Sequence, residues 1–236
     1  MKNYIKIKQI DGNIDFINLA ITLKNVDSKS REDMKVVCKD LGFNIEKLTS
    51  NIQIHSDIVN KIDENNIGQK KDGDALITNI TNVPLLIFTA DCVPIAIIDK
   101  KNKAIGLAHA GWRGTYDRIS EKTIDKMIEN YNTDIKDLVC VIGPSIGPCC
   151  YEVSEELVEK FNMNFTNSTE KFYKIEEDKY KLDLWKINEY ILKECGVKYE
   201  NIINLNLCTS CNSDKFHSYR KHNQTPKRIG TILQIK

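Results

Sequence analysis

Cys92 and His109 bracket two short apolar runs, Val93 to Ile98 and Ala104 to Ala108, joined by the polar stretch 99–103. Two such runs with a polar link read as an antiparallel hairpin. If Lys100 and Lys101 form a two-residue loop, cross-strand partners have numbers that sum to 201, and Cys92 faces His109. Opposed residues in a ladder lie about 4.5–5.5 Å apart, close enough for one ion to touch both side chains. Lys-Lys is a poor tight-turn pair, and a longer loop that takes in Asn102 would move the pairing by a residue without separating the groups far. A soft thiolate beside an imidazole is a ligand pair for zinc.

Catalytic zinc usually takes three protein ligands and keeps one position open. The chain has four histidines, His55, His109, His217 and His222. His55 ends a short strand, in QIHS, and is the natural third candidate. Spacing alone leaves another reading open and slightly favours it, namely that Cys92 is a buried small hydrophobe.

The elements that must position these residues read as one α/β domain over 1–236. Tyr4 to Ile10 alternates like a strand, and Ile14 to Leu23 could be a second. Ser30 caps a helix over Arg31 to Leu41 that Gly42 stops. Asn51 to His55 reads as a short strand ending in the histidine, and Asn60 to Asp74 as a loop. Ala75 to Thr78, Leu85 to Thr89 and the hairpin are nearly continuous apolar runs, as in strands covered on both faces. Thr115 opens a helix to about Tyr131, and Leu138 to Ile142 is another buried strand. Ser154 caps a short helix through Phe161, and Asp183 caps one over Leu184 to Cys195. Ile202 to Leu207 and Ile229 to Ile235 are late strands. Strands and helices mix without strict alternation, which predicts a layered α-β-α sandwich around a mixed sheet.

Composition narrows the partners. Lys+Arg is 34 against 33 Asp+Glu, so no global field draws nucleic acid or acidic membranes. No run of about 18 apolar residues predicts a membrane span, and the N-terminus lacks the apolar core of a signal peptide. The expected location is the cytoplasm, and a monomer is the expected state. The eight cysteines then read as reduced thiols.

TADCVPI, GLAHAGWRGT and IGPSIGPCCYEV, in that order, resemble the family once called laccase-like multicopper polyphenol oxidoreductases. The same family is described as purine nucleoside phosphorylases, with one branch called peptidoglycan editing factors. The resemblance runs from about His55 to Arg220 and is weaker at both ends. It implies that His55, Cys92 and His109 are the metal ligands and the catalytic centre, with Ser56 standing where the family usually has glycine. It also implies phosphorolysis of adenosine, inosine and methylthioadenosine, and adenosine deamination.

A multicopper laccase needs many histidine pairs, and four histidines with no His-X-His cannot supply them. One cysteine with two histidines and an open position suits zinc, with copper as an adventitious occupant. Zinc lowers the pKa of water toward about 7, which serves attack on the purine C6. Phosphorolysis needs an anion site beside the ribose, and in GWRGT the Arg113 cation and the helix start could form it. The alternative is a surface ion-pair role for Arg113.

Asp91 could orient His109 or His55 or carry a proton, or it could cap the strand end. Asp74, in DGDALIT, reads as structural. Phe216 or Tyr219 of KFHSYRK could stack on a purine and Arg220 could meet phosphate, with an aromatic core and surface arginine as the alternative. Cys149 and Cys150 are adjacent, so their side chains should diverge. Cys208 and Cys211 form a lone C-x-x-C, and a second zinc site finds little support. Two other readings stay open. Cys92 could be the nucleophile of a hydrolase with His109 as base, cleaving an amide in a peptidoglycan precursor. Otherwise a structural zinc could be closed by a fourth ligand, and of the two spare histidines only His217 has a plausible claim.

Overall fold

The computed structural model describes residues 2–7, 14–166, 168 and 171–236. The chain begins with β1 (Tyr4–Lys6) and β2 (Ile17–Thr22), and Lys8 to Ile10 of the expected first strand lie outside the described residues. Helix α1 (Arg31–Leu41) has the predicted bounds. The Ser30 hydroxyl accepts from the Asp33 amide, and Gly42 takes the left-handed conformation at φ 75°. Then come β3 (Val59–Lys61), β4 (Ala75–Thr78), β5 (Leu85–Thr89), β6 (Val93–Asp99) and β7 (Ala104–Ala110). Helices α2 (Trp112–Tyr116) and α3 (Ile119–Tyr131) precede β8 (Leu138–Ile142), β9 (Glu152–Val153) and α4 (Glu155–Asn164). The chain closes with β10 (Tyr173–Glu176), β11 (Lys179–Leu182), α5 (Leu184–Glu194), β12 (Ile202–Asn204) and β13 (Ile229–Ile235).

The layered α/β architecture is as expected, and its middle layer is double. A six-stranded mixed sheet, β12-β8-β6-β7-β4-β3, lies against a four-stranded antiparallel one, β1-β2-β13-β5. Side chains such as Leu76, Ile98 and Leu107 from one sheet and Leu19, Ile87 and Leu233 from the other fill the space between. On the outer face of the larger sheet, Ile77, Ile95 and Ala108 meet Ile124 and Met127 of α3 and Ile187 of α5. On the outer face of the smaller sheet, Ala20, Leu86 and Ile232 meet Met34, Val37 and Cys38 of α1. Both faces of the central strands are therefore covered, which explains their unbroken apolar runs.

Several local expectations give way. Residues 51–55 make one isolated bridge, Ile52 to Asp72, rather than a strand. The expected loop over 60–74 contains the end of β3. The helix expected from Thr115 to Tyr131 is two helices, broken where Arg118 turns left-handed at φ 58°. The charged β10-β11 hairpin, which pairs through β11 with β9, was not foreseen. No helix among the described residues is long and apolar enough to cross a membrane.

Candidate metal centre

The hairpin that carries the site has a longer loop than the tightest possibility. Asp99 pairs with Ala104, and its carboxylate accepts from the amides of Lys101 and Asn102, each at 2.9 Å. Pro94 therefore lies opposite His109, and the partner numbers sum to 203. The shift from 201 is an even one, so Cys92 and His109 keep the same face of the sheet. Continuing the register sets Cys92 across from Gly111 rather than His109. A Cβ on Gly111 would lie 3.1 Å from Cys92 Sγ and 3.2 Å from His55 Cδ2, so the missing side chain makes room for both groups.

His55 reaches the same point from a turn. Its backbone is left-handed at φ 59°, which lets three successive amides converge on one carboxylate. The amides of Ile54 and Ser56 donate to Asp74 Oδ2, at 3.1 and 2.7 Å, and that of His55 donates to Oδ1 at 3.1 Å. The Ser56 hydroxyl adds a bond to Oδ2 at 2.8 Å. This nest replaces the strand expected over 51–55, and Ser56 contributes a bond that glycine would lack.

The ligand atoms of His55, Cys92 and His109 all lie within 4.8 Å of one another. The two imidazole rings meet edge to face, with centroids 5.0 Å apart. His109 is buried, Cys92 half-buried and His55 exposed, so the group opens to one side. His109 Nδ1 lies 2.8 Å from Asp74 Oδ1. With the proton on Nδ1 donated to that carboxylate, the Nε2 lone pair is free to face Cys92 and His55. The donor set and the space left by Gly111 fit one divalent ion of the zinc type.

Charge is arranged to match. Burial pushes the Cys92 thiol up, but the positive charge on His109 and hydrogen bonds from His109 and His55 outweigh it and bring the thiol to about 6 in the metal-free chain. Burial lowers His109, yet the Cys92 thiolate and the bond to Asp74 raise it to about 9. Burial also raises Asp74, while bonds from His109 and Ser56 hold it at about 2. Asp74 is thus an ionised anchor under the site, with a role the sequence reading did not assign it.

Other expected residues fall in several places. Asp91, at φ 88°, orients neither histidine; its carboxylate accepts from Thr209 Oγ1 at 2.6 Å and from the Arg220 amide at 2.7 Å. Arg113, Arg220 and Tyr219 line a cavity of about 860 Å³ that also contains the three candidate ligands. The Arg113 guanidinium lies over the Trp112 ring, 4.3 Å from its centroid, and among the described residues no carboxylate pairs with it. Arg220 donates to the Glu152 carbonyl at 2.9 Å and lies over Tyr151.

Phe216 is a core residue, packed with Ile21 and Ile229, and does not reach the cavity. His217 is buried and bonds to the Val26 carbonyl at 3.0 Å, so it closes no fourth position. Tyr151 and Arg228 line the cavity and were not picked out by sequence reasoning; Tyr151 had a signal in IGPSIGPCCYEV, and Arg228 had none.

A family model described as multi-copper polyphenol oxidoreductase laccase matches residues 9–236. The chain belongs to this family. The match reaches past both ends of the stretch that carries the motifs. A purine nucleoside phosphorylase of Clostridium acetobutylicum is 36% identical over 213 residues, spanning 89% of this chain and 85% of that protein. A human protein named purine nucleoside phosphorylase is 33% identical over 222 residues, which are 88% of this chain. The match spans only 50% of the human protein's length. In fold, the crystal structure of YlmD from Geobacillus stearothermophilus superposes with a TM-score of 0.93 at 24% identity, covering 100% of this chain and 97% of that one. The crystal structure of the Bacillus licheniformis hypothetical protein YfiH gives 0.91 at 25% identity, covering 99% and 97%.

Proposed function

We propose that this protein is a zinc-dependent purine nucleoside enzyme that cleaves adenosine, inosine and methylthioadenosine with phosphate and deaminates adenosine. One observation carries the reading: His55, Cys92 and His109 converge in a cavity of about 860 Å³ that is also lined by aromatic side chains and by cations, among them Arg113 with no carboxylate partner among the described residues. The names of the Clostridium and human relatives support it. We take the whole chain as one domain, acting as a cytoplasmic monomer whose free cysteines stay reduced.

His55, Cys92 and His109 would hold the zinc, which when bound supplies a Lewis acid in the cavity. Asp74 fixes the tautomer of His109 and the turn of His55, so the donors are held ready. Arg113, steadied on Trp112, meets the phosphate with a charge that no carboxylate neutralises. Tyr151, Trp112 and Tyr219 line the same cavity and supply aromatic surface for the flat base. In phosphorolysis the C1′–N9 bond breaks, its electron pair stays with the purine, and a phosphate oxygen bonds C1′. The base takes up a proton, and ribose 1-phosphate leaves. In deamination, water adds at C6 and ammonia departs.

The test is product analysis with adenosine and inosine, with and without phosphate, on zinc-loaded and chelator-treated protein. Phosphate-dependent hypoxanthine release from inosine, lost in Cys92→Ala, is the expected result. Absence of any base or inosine product from the zinc-loaded chain would overturn the reading.

A second reading is favoured by one observation. The Cys92 thiol at about 6 beside His109 at about 9, with Asp74 behind the histidine, is the arrangement of an activated cysteine nucleophile. A metal-free chain that cleaves a peptidoglycan-precursor amide and is stopped by iodoacetamide would support it. Polyphenol oxidation with bound copper would require activity that follows copper content.

A further inference from the structure

Four of the eight cysteines stand apart from this centre and meet at one point. Cys149 and Cys150 close the turn after β8, and Cys208 and Cys211 lie in the loop between β12 and β13. Their four sulfurs all lie within 4.8 Å of one another. Cys149 Sγ and Cys150 Sγ are each 3.4 Å from Cys211 Sγ. Adjacent residues diverge on a strand, but this segment is a turn, closed by the Cys150 amide donating to the Gly147 carbonyl at 2.9 Å. The neighbouring side chains therefore reach one partner, against the expectation from adjacency.

The two segments are fastened to each other. The Ser145 amide donates to the Leu207 carbonyl at 3.1 Å, and the Thr209 amide donates to the Ser145 carbonyl at 3.0 Å. The buried Cys208 sulfur accepts from the amides of Gly147 at 3.3 Å and of Cys211 at 3.5 Å.

We propose that Cys149, Cys150, Cys208 and Cys211 form a second metal site, a closed tetrathiolate that takes a zinc-class divalent ion and braces the cavity wall. Zinc–sulfur bonds of about 2.3 Å in tetrahedral array set the sulfurs roughly 3.8 Å apart, which the observed grouping accommodates. An iron–sulfur cubane interposes iron and sulfide between its thiolates and needs a wider cage. Four protein ligands leave no position for substrate, so the site is structural. On binding, each thiol releases its proton to solvent as its sulfur bonds the ion, and no electron is transferred. The braced loops carry Tyr151, Thr209 and Arg220. Thr209 and the Arg220 amide hold both oxygens of Asp91, the neighbour of Cys92.

The test is zinc content per chain of the protein, purified under reducing conditions without chelator. Two ions are expected for the natural chain, one for each cysteine-containing cluster. Loss of one is expected in the double variant Cys208→Ser with Cys211→Ser. Cys92→Ala, which leaves the four cysteines intact, should keep one ion. Loaded with cobalt, that variant should show the strong sulfur-to-cobalt charge-transfer band and the visible bands of a tetrahedral tetrathiolate. This readout does not depend on whether the double variant folds. A Cys92→Ala chain with no metal and no such bands would overturn the proposal. So would isolation of the four cysteines as disulfides under those reducing conditions. Failure of the His55–Cys92–His109 site looks different, because Cys92→Ala would then match the natural chain in metal content.

Discussion

Asp74 and His109 are bonded twice across the β4–β7 edge. The His109 amide donates to the Asp74 carbonyl at 2.7 Å, and the two side chains meet at 2.8 Å. The same carboxylate gathers the amides of Ile54, His55 and Ser56. One buried anion thus sets the orientation of one candidate ligand and the backbone of another. Removing its charge should therefore be felt at the metal before it is felt in the fold. Asp74→Asn presents an amide to donors that now bond an oxygen, and zinc affinity should fall about 10- to 100-fold. Competition with a chromogenic chelator measures this. Unchanged affinity would mean that packing alone holds His109.

The same residue sets an acid limit on stability. Asp74 ionises at about 2 when folded against an ordinary 3.8. The unfolded chain therefore binds its proton first as pH falls. The stabilisation, about 2 kcal/mol, is fully present above about pH 4 and is lost as pH drops through about 2. Urea unfolding of the metal-free chain between pH 5 and pH 2 should show this slope, and Asp74→Asn should flatten it. Parallel pH profiles for the two chains would count against it.

In the chelator-treated chain, Cys92 should behave as a thiolate under mildly acidic conditions. A thiol at about 6 is mostly deprotonated at pH 7, whereas an ordinary cysteine is not. Iodoacetamide labelling of Cys92, followed by peptide mass spectrometry, should rise with pH to a midpoint near 6 and then level off. Zinc should suppress it across the range. A midpoint in the ordinary range of 8 to 9 would show that His109 does not carry the charge assigned to it.

Gly111 is the residue whose absence of a side chain the centre needs. A methyl group there would press on Cys92 Sγ and on the His55 ring from about 3.1 and 3.2 Å. Both neighbours are candidate ligands, so any shift that relieves the contact moves a donor. Gly111→Ala should lower zinc affinity by at least about tenfold. Its backbone, at φ −67°, is one that alanine adopts freely, so circular dichroism should stay unchanged. Full metal affinity in this variant would show that the turn yields in some other direction.

How much of this was legible in the sequence depended on how local the physics was. The cap at Ser30, the stop at Gly42 and the bounds of β13 follow from neighbouring residues, and they stand as read. The Cys92–His109 pair was also local, since a hairpin whose register shifts by an even number keeps its faces. The nest under His55 was not, because its acceptor, Asp74, lies across the chain and a left-handed histidine has no sequence mark. The doubling of the sheet was hidden because strands covered by a second sheet and strands covered by helices read alike. The four-cysteine cluster was hidden because adjacency suggests divergence until the turn at 147–150 is known. Phe216 was left between two readings, stacking on a ligand or packing in the core, and only the tertiary packing decides for the core.

Arg113 is the residue on which the two halves of the proposed chemistry should separate. Its guanidinium rests on the Trp112 ring at the cavity wall, and among the described residues no carboxylate offsets its charge. A cation held in this way attracts an anion, and of the substrates only phosphate carries one. Arg113→Ala should therefore raise the KM for phosphate by about 10- to 100-fold, the loss expected of one charge-assisted hydrogen bond. Adenosine deamination, which uses water, should change by less than about threefold. Arg113→Lys keeps the charge but not the fork, and should recover part of the phosphate affinity. Steady-state rates against phosphate at fixed inosine, alongside ammonia release from adenosine, give both numbers on one preparation. If the two activities fall together, Arg113 shapes the cavity rather than binding phosphate, and the anion site must then be sought at Arg220 or Arg228.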